Sequence, residues 1–186
     1  NNYSDSMIEV EMKAKINNNK EAFEKIKEIG GEYSHTEKQH DIYFNAPNKD
    51  YKETDEALRI REIPRDDDFE RILTYKGPKL DSKSKTRKEV EVNIDDTDNM
   101  VEILKSLGFK PSAVVNKIRR IFNYDKYTIT IDKLNRLGYY MEIEYVANKD
   151  EDIEEIRNNI IKVFEKLEIT SGFERTSYLE LLEQKE

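Results

Sequence analysis

The chain has 186 residues and carries 32 basic against 40 acidic side chains, a net charge of −8. That balance argues against a nucleic-acid or acidic-lipid binder, which usually shows a basic surplus. Without cysteine there is no disulfide, thiol chemistry or thiolate metal site. No apolar run approaches the roughly 20 residues of a membrane span, and no signal peptide is visible, so a cytoplasmic protein is expected. Charged residues make up 39% of the chain, far above the roughly 25% of an average soluble protein. Even so, Ile, Leu, Val, Phe and Tyr fall in periodic segments, which predicts one compact domain over 7–186. Residues 1–6 are polar and precede Met7, and they read as a tag remnant or flexible extension.

In chain order, 8–16 alternates Glu9, Glu11, Lys13 and Lys15 with Ile8, Val10, Met12, Ala14 and Ile16, the period of a β-strand with one polar face. Residues 19–29 read as a helix, with Phe23, Ile26 and Ile29 on one stripe, Asn17 or Asn18 as cap and Gly30-Gly31 as stop. A short strand is expected around 41–46. Segments 57–63 and 69–76, joined by the turn-rich 64–68, predict a hairpin. The stretch 77–85 reads as a mobile flap, and 86–94 as a strand. A helix over 97–107 turns Met100, Ile103, Leu104 and Leu107 inward. Strands follow at 113–123, 127–134 and 138–146, then helices at 151–167 and 175–184. Short connections favour antiparallel pairing.

Each strand thus has one apolar and one charged face. Taken singly, a charged face is most simply a solvated one. Taken together, the residues segregate into Glu9/Glu11, Glu89/Glu91 and Glu142/Glu144 on one side and Arg59/Arg61 and Lys117/Arg119 on the other. Neighbours two apart on a strand face sit roughly 6.5–7 Å apart. Two carboxylates at that spacing can share a hard cation, and two guanidinium groups can clamp successive phosphates. Oxygen-only ligands point to Mg²⁺ or Mn²⁺. No glycine-rich phosphate loop is present. His35 and His40 read as ordinary polar positions, and Lys15, Lys88 and Arg120 as exterior.

The ordered set resembles a known family. Glu9-x-Glu11-x-Lys13 resembles the N-terminal signature of the CYTH, or triphosphate tunnel metalloenzyme, superfamily, and the likeness runs over the chain from Met7 onward. The segments 39–45, 54–61, 73–78, 86–91 and 137–144 and the terminal Tyr178-Leu179-Glu180-Leu181-Leu182 are similar to its class IV adenylyl cyclase (CyaB-type) branch. Tyr140 stands where Phe is more usual. The resemblance implies an α+β fold, an eight-stranded antiparallel closed β-tunnel with helices outside, binding a triphosphate and a divalent metal. It implies metal-side carboxylates at Glu9, Glu11, Glu142 and Glu144, with Glu89 or Glu91 contributing. It places phosphate contacts at Lys13, Arg59, Arg61, Lys76, Arg87, Lys117 and Arg119, and an active-site acid at Asp132, a candidate general base. Lys13, Asp132 and Glu142 are the expected catalytic set. The leading expectation is conversion of ATP to cyclic AMP and pyrophosphate. A triphosphatase acting on inorganic, thiamine or nucleoside triphosphate, and a non-catalytic polyphosphate binder, are the alternatives. No nucleic-acid or membrane partner is expected, and the branch is consistent with a homodimer.

Overall fold

A computed structural model describes residues 7–185; the extension at 1–6 lies outside the described residues. Eight strands form a closed antiparallel barrel in the order β1-β5-β4-β3-β2-β6-β7-β8. They are β1 (Met7–Ile16), β2 (Glu32–Asn45), β3 (Ala57–Arg65), β4 (Asp68–Lys76), β5 (Arg87–Asn93), β6 (Lys110–Tyr124), β7 (Tyr127–Leu134) and β8 (Gly138–Ala147). The helices are α1 (Asn19–Glu28), α2 (Tyr51–Thr54), α3 (Thr97–Ser106), α4 (Ile153–Lys166) and α5 (Tyr178–Glu183). Among the described residues, no helix is long and apolar enough to cross a membrane.

The apolar faces of the strands point outward. Val10, Met12, Ala14, Ile129, Ile131, Met141 and Ile143 of β1, β7 and β8 meet Ile26 of α1 and Ile156, Ile160 and Phe164 of α4. A second cluster joins Phe44 and Ile60 to Leu104 of α3. A third lies on the inward side instead: Tyr178 of α5 meets Val115, Leu134 and Tyr140, which share the face of Lys117, Asp132 and Glu142, together with Leu137. Side-chain carboxamide or carboxylate caps start the longer helices: Asn18 accepts from Glu21 N–H, Asp96 from Asn99 N–H and Asp152 from Glu154 N–H. Asp66 (φ 43°) and Asp125 (φ 51°) take the left-handed conformation at two of the hairpin turns, a conformation to which Asp is well suited among non-glycine residues.

Several elements differ from the sequence reading. Strand β2 is 14 residues long, extending N-terminally far beyond 41–46. Its inward positions Glu37, Gln39 and Asp41 are polar, so the hydrophobic alternation that marks a strand is missing there. The single turn α2 begins at the Asp50 cap and ends at Asp55, φ 57°. On α3, Ile103 and Leu107 are exposed, because Met100, Val101 and Leu104 make the barrel contact. The segment 77–86 is not a free flap: the Lys85 N–H donates to Glu11 O, Leu80 N–H to Thr86 O, and the Arg175 guanidinium to the carbonyls of Ser84 and Asp81.

Strand β1 closes the barrel unevenly. Nine of its residues pair with β8, but only Met7, Ile8 and Glu9 pair with β5. Farther along, the free edge of β1 is taken by Lys85 and then by the C-terminal segment: Lys15 N–H donates to Gly172 O and Glu174 N–H to Lys13 O. Ile160→Ala should cost about 2–5 kcal/mol, the usual penalty for emptying a tightly packed aliphatic site. Urea unfolding followed by far-UV circular dichroism measures it.

Candidate active site in the barrel interior

The register turns the charged positions toward one another. Lys13 lies opposite Glu142 and Glu11 opposite Glu144 across β1 and β8. Asp41 faces Arg61 across β2 and β3, and Arg119 faces Asp132 across β6 and β7. Inside a barrel these groups lose water, so each needs a partner. Asp41 is fully buried, binds Arg61 bidentately at 2.7 and 2.8 Å and accepts from Lys117 at 2.9 Å. Burial would raise its carboxyl, but the charges of Lys117 and Arg61 outweigh that and hold it well below the usual range. Asp132 is equally buried, pairs with Arg119 at 2.7 and 2.8 Å and accepts from the Tyr178 hydroxyl at 2.7 Å. Arg119 also donates to Glu142 at 2.8 Å.

Three other cations are held loosely. Lys76 stands 3.5 Å from Glu89 and 3.9 Å from Glu9, and Lys85 stands 3.6 Å from Glu11. The buried Arg59 Nε has no hydrogen-bond partner. These donors are available to an anion. Arg87 lines the same space but gives its Nε to Gly77 O and an Nη to Asp55 O, tying the rim together. Lys13 and Lys117 are each brought down to about 7, by burial first and then by neighbouring positive charge, from Lys85 and Arg61 respectively.

Carboxylate oxygens of Glu9, Glu11 and Glu144 lie within 4.8 Å of one another and could hold a metal ion. Burial, followed by the Glu9 charge, pushes Glu144 well above the carboxylate range. Burial would also raise Glu9, but Lys76 and hydrogen bonding with Glu144 hold it at about 2. Two acids this close share a proton. A buried Glu11 oxygen and a buried Glu89 oxygen lack any hydrogen-bond partner, and such hard, unsatisfied oxygens suit Mg²⁺ or Mn²⁺. Of the carboxylates read from the sequence, Glu142 is engaged by Arg119 and Glu91 stands exposed at a rim, both outside this cluster.

The interior opens at both ends. One mouth is bordered by Tyr43, Asn45, Tyr51, Asp55, Leu179 and Glu183. The other is bordered by Met7, Glu89, Glu91, Val146, Asp150 and Glu151. The two cavities share Glu9, Arg59, Arg61 and Arg119, where they meet as one tunnel. Near the second end, Glu37 accepts from His35, Gln39 and Arg65. His40 pairs with Asn116 on the outside.

Of the residues quoted from sequence, Glu9, Glu11, Arg59, Arg61, Lys76, Arg87, Lys117, Arg119 and Glu142 line the first cavity and Glu89, Glu91 and Glu144 the second, whereas Lys13 and Asp132 are buried and line neither; other members were not assigned there. Asp41 and Gln39 sit in an alternating polar stretch whose parity could have revealed them. Lys85 lies in a loop without periodicity, and Tyr178 carried no signal of reaching Asp132. The CYTH domain profile matches residues 7–178. The chain belongs to the CYTH family. A Methanocaldococcus jannaschii protein named "Putative adenylate cyclase" is 40% identical to this CYTH protein over 176 residues, 94% of this chain and 98% of its own. Adenylate cyclase CyaB of Aeromonas hydrophila is 26% identical over 145 residues, 77% of this chain and 72% of its own. A solved Pyrococcus horikoshii structure superposes with a TM-score of 0.88 at 43% identity, covering 96% of this chain and 99% of that one.

Asp41→Ala in this CYTH domain should cost about 3–5 kcal/mol, because Arg61 and Lys117 are left buried without their acid; chemical denaturation checks it. Glu37 adds a pH dependence. Burial would raise its carboxyl, but hydrogen bonds from His35, Gln39 and Arg65 hold it at about 2, below the ordinary 4.5. Its contribution is therefore present above pH 4.5 and lost as pH falls through 2. The stability gap between wild type and Glu37→Gln should close over that window in acid-titrated urea melts.

Proposed function

We propose that this protein is a divalent-metal-dependent adenylyl cyclase that converts ATP to cyclic AMP and pyrophosphate. The observation that carries the reading is the juxtaposition, within one tunnel, of the Glu9–Glu11–Glu144 carboxylates and the loosely held cations Arg59, Lys76 and Lys85. A pure anion binder would gain nothing from acids placed beside phosphates. The name of the Methanocaldococcus jannaschii relative supports the cyclase assignment.

In this reading Glu9, Glu11 and Glu144 hold the cation, with Glu89 in reach through its unpartnered oxygen. When bound, a divalent ion neutralises phosphate charge and orients its oxygens. Arg59, Lys76 and Lys85 donate to phosphate oxygens and stabilise the charge that gathers on the leaving pyrophosphate. Arg61, Lys117 and Arg119 add positive potential while remaining fixed by Asp41 and Asp132. The ribose 3′-oxygen attacks the α-phosphorus, its proton passes to solvent water, and the bond from the α-phosphorus to the bridging oxygen breaks, releasing pyrophosphate. Asp132 offers no free oxygen, since both bind Arg119; its role is to hold that guanidinium rather than to take the proton.

One observation favours a second reading on the same residues. The second mouth gives water access to Glu9 and Arg59 from the far end, the arrangement a triphosphatase needs for attack on a terminal phosphorus. Product analysis after incubation with ATP and Mg²⁺ or Mn²⁺ separates the two. Cyclic AMP with pyrophosphate supports the cyclase, and ADP with phosphate supports the hydrolase. No turnover of ATP, tripolyphosphate or thiamine triphosphate with either metal overturns both. Arg59→Ala should weaken tripolyphosphate binding about tenfold or more, from the loss of a charge-assisted hydrogen bond worth roughly 1.5–3 kcal/mol; titration calorimetry measures it, and unchanged affinity removes Arg59 from the site.

A further inference from the structure

Helix α5 does more than cap an apolar cluster. Tyr178 is buried and stands edge-on to Tyr140, with ring centroids 5.3 Å apart. Three lysine nitrogens surround its ring: Lys13 Nζ at 4.0 Å from the centroid, Lys117 Nζ at 5.6 Å and Lys85 Nζ at 6.0 Å. They come from β1, β6 and the 77–86 loop. Lys13 has no salt-bridge partner among the described residues; its hydrogen bond goes to the Thr176 carbonyl at 2.6 Å, two residues before Tyr178. The tyrosine hydroxyl donates to Asp132, the acid that orients Arg119. The segment is brought to this place by its own pairing with β1 at Gly172 and Glu174 and by Arg175 on the loop that carries Lys85.

We propose that Tyr178 is a positioning residue for the cationic wall, its ring gathering Lys13, Lys85 and Lys117 and its hydroxyl fixing Arg119 through Asp132. Like charges brought together out of water repel, and an electron-rich ring among them offsets part of that cost. The ring therefore lets several ammoniums stand ready at one point along the tunnel before an anion arrives. The functional consequence rests on the triphosphate reading above, whereas the arrangement of the lysines does not.

Two measurements on the full chain test this separately. The first needs no ligand: trace labelling with acetic anhydride, read by mass spectrometry, with exposed Lys15 as the internal reference. Lys13 should label at least threefold faster in Tyr178→Leu than in wild type. Should Tyr178→Leu fail to fold, Tyr178→Phe and its 3,4,5-trifluorophenylalanine counterpart replace it. They keep the ring's shape and differ in the electron density of its face. Lys13 should then label at least threefold faster in the fluorinated protein, at an unchanged unfolding midpoint. Equal Lys13 labelling overturns the proposal, because a merely structural tyrosine would not sense ring electronics. The second is calorimetric titration with tripolyphosphate in EDTA, with at least threefold weaker binding expected in the same comparison. If wild type binds and the variants bind equally well, the positioning role in anion binding is overturned. If wild type binds tripolyphosphate neither in EDTA nor with Mg²⁺ supplied, the triphosphate reading fails, and the labelling still decides the arrangement of the lysines.

Discussion

The structure depends on one electrostatic constraint. Closing the sheet on its charged face removes acids and bases from water together, and a buried charge is tolerated only beside an opposite one. The antiparallel register meets this condition by placing Asp41 against Arg61 and Asp132 against Arg119 at directly paired positions. A slip of one residue in either ladder would turn the charges outward and the aliphatic side chains in. The helices reinforce the same choice from outside, because α1 and α4 find an apolar surface only if the charged positions face the tunnel.

Within that frame the interior sorts into two kinds of charge. Arg61, Lys117 and Arg119 are held by bidentate or short contacts, while Arg59, Lys76 and Lys85 have distant or missing partners. The first group is the wall's scaffold and the second its spare donor capacity. The carboxylates divide likewise. Asp41 and Asp132 are spent on arginine, whereas Glu9, Glu11 and Glu144 crowd one another closely enough to share a proton. A cation there would relieve repulsion that the protein offsets only in part, through Lys76, Lys85 and a shared proton. The C-terminal segment completes the arrangement: it replaces β5 along the second half of β1 and delivers Tyr178 among the lysines.

Much of the barrel was legible because period-two alternation survives wherever the outward face is aliphatic, as in β1, β7 and β8. It faded in the N-terminal half of β2, where polar residues occupy both faces, and on α3, where Ile103 and Leu107 continue the helical stripe but find no surface to cover. The tunnel residues in Glu-x-Glu and Arg-x-Arg pairs announced themselves by spacing. Lys85 could not, since it comes from an aperiodic loop fastened by the distant Arg175. For the same reason the 77–85 stretch read as a flap: its glycine, proline and serine content is that of a loop, and the contacts that fasten it include partners as distant in sequence as Glu11 and Arg175.

The sequence by itself determined most of the strands, their charged faces and the Glu-x-Glu and Arg-x-Arg pairs, because alternation and residue type are local properties. Tertiary structure alone decided which acids are available to a cation and which are locked to arginine. It also decided that Asp132 supports a guanidinium and that a C-terminal tyrosine stands among three lysines. Those outcomes follow from which strands become neighbours when the barrel closes, and hydrogen-bond partners drawn from opposite ends of a chain leave no trace in local pattern.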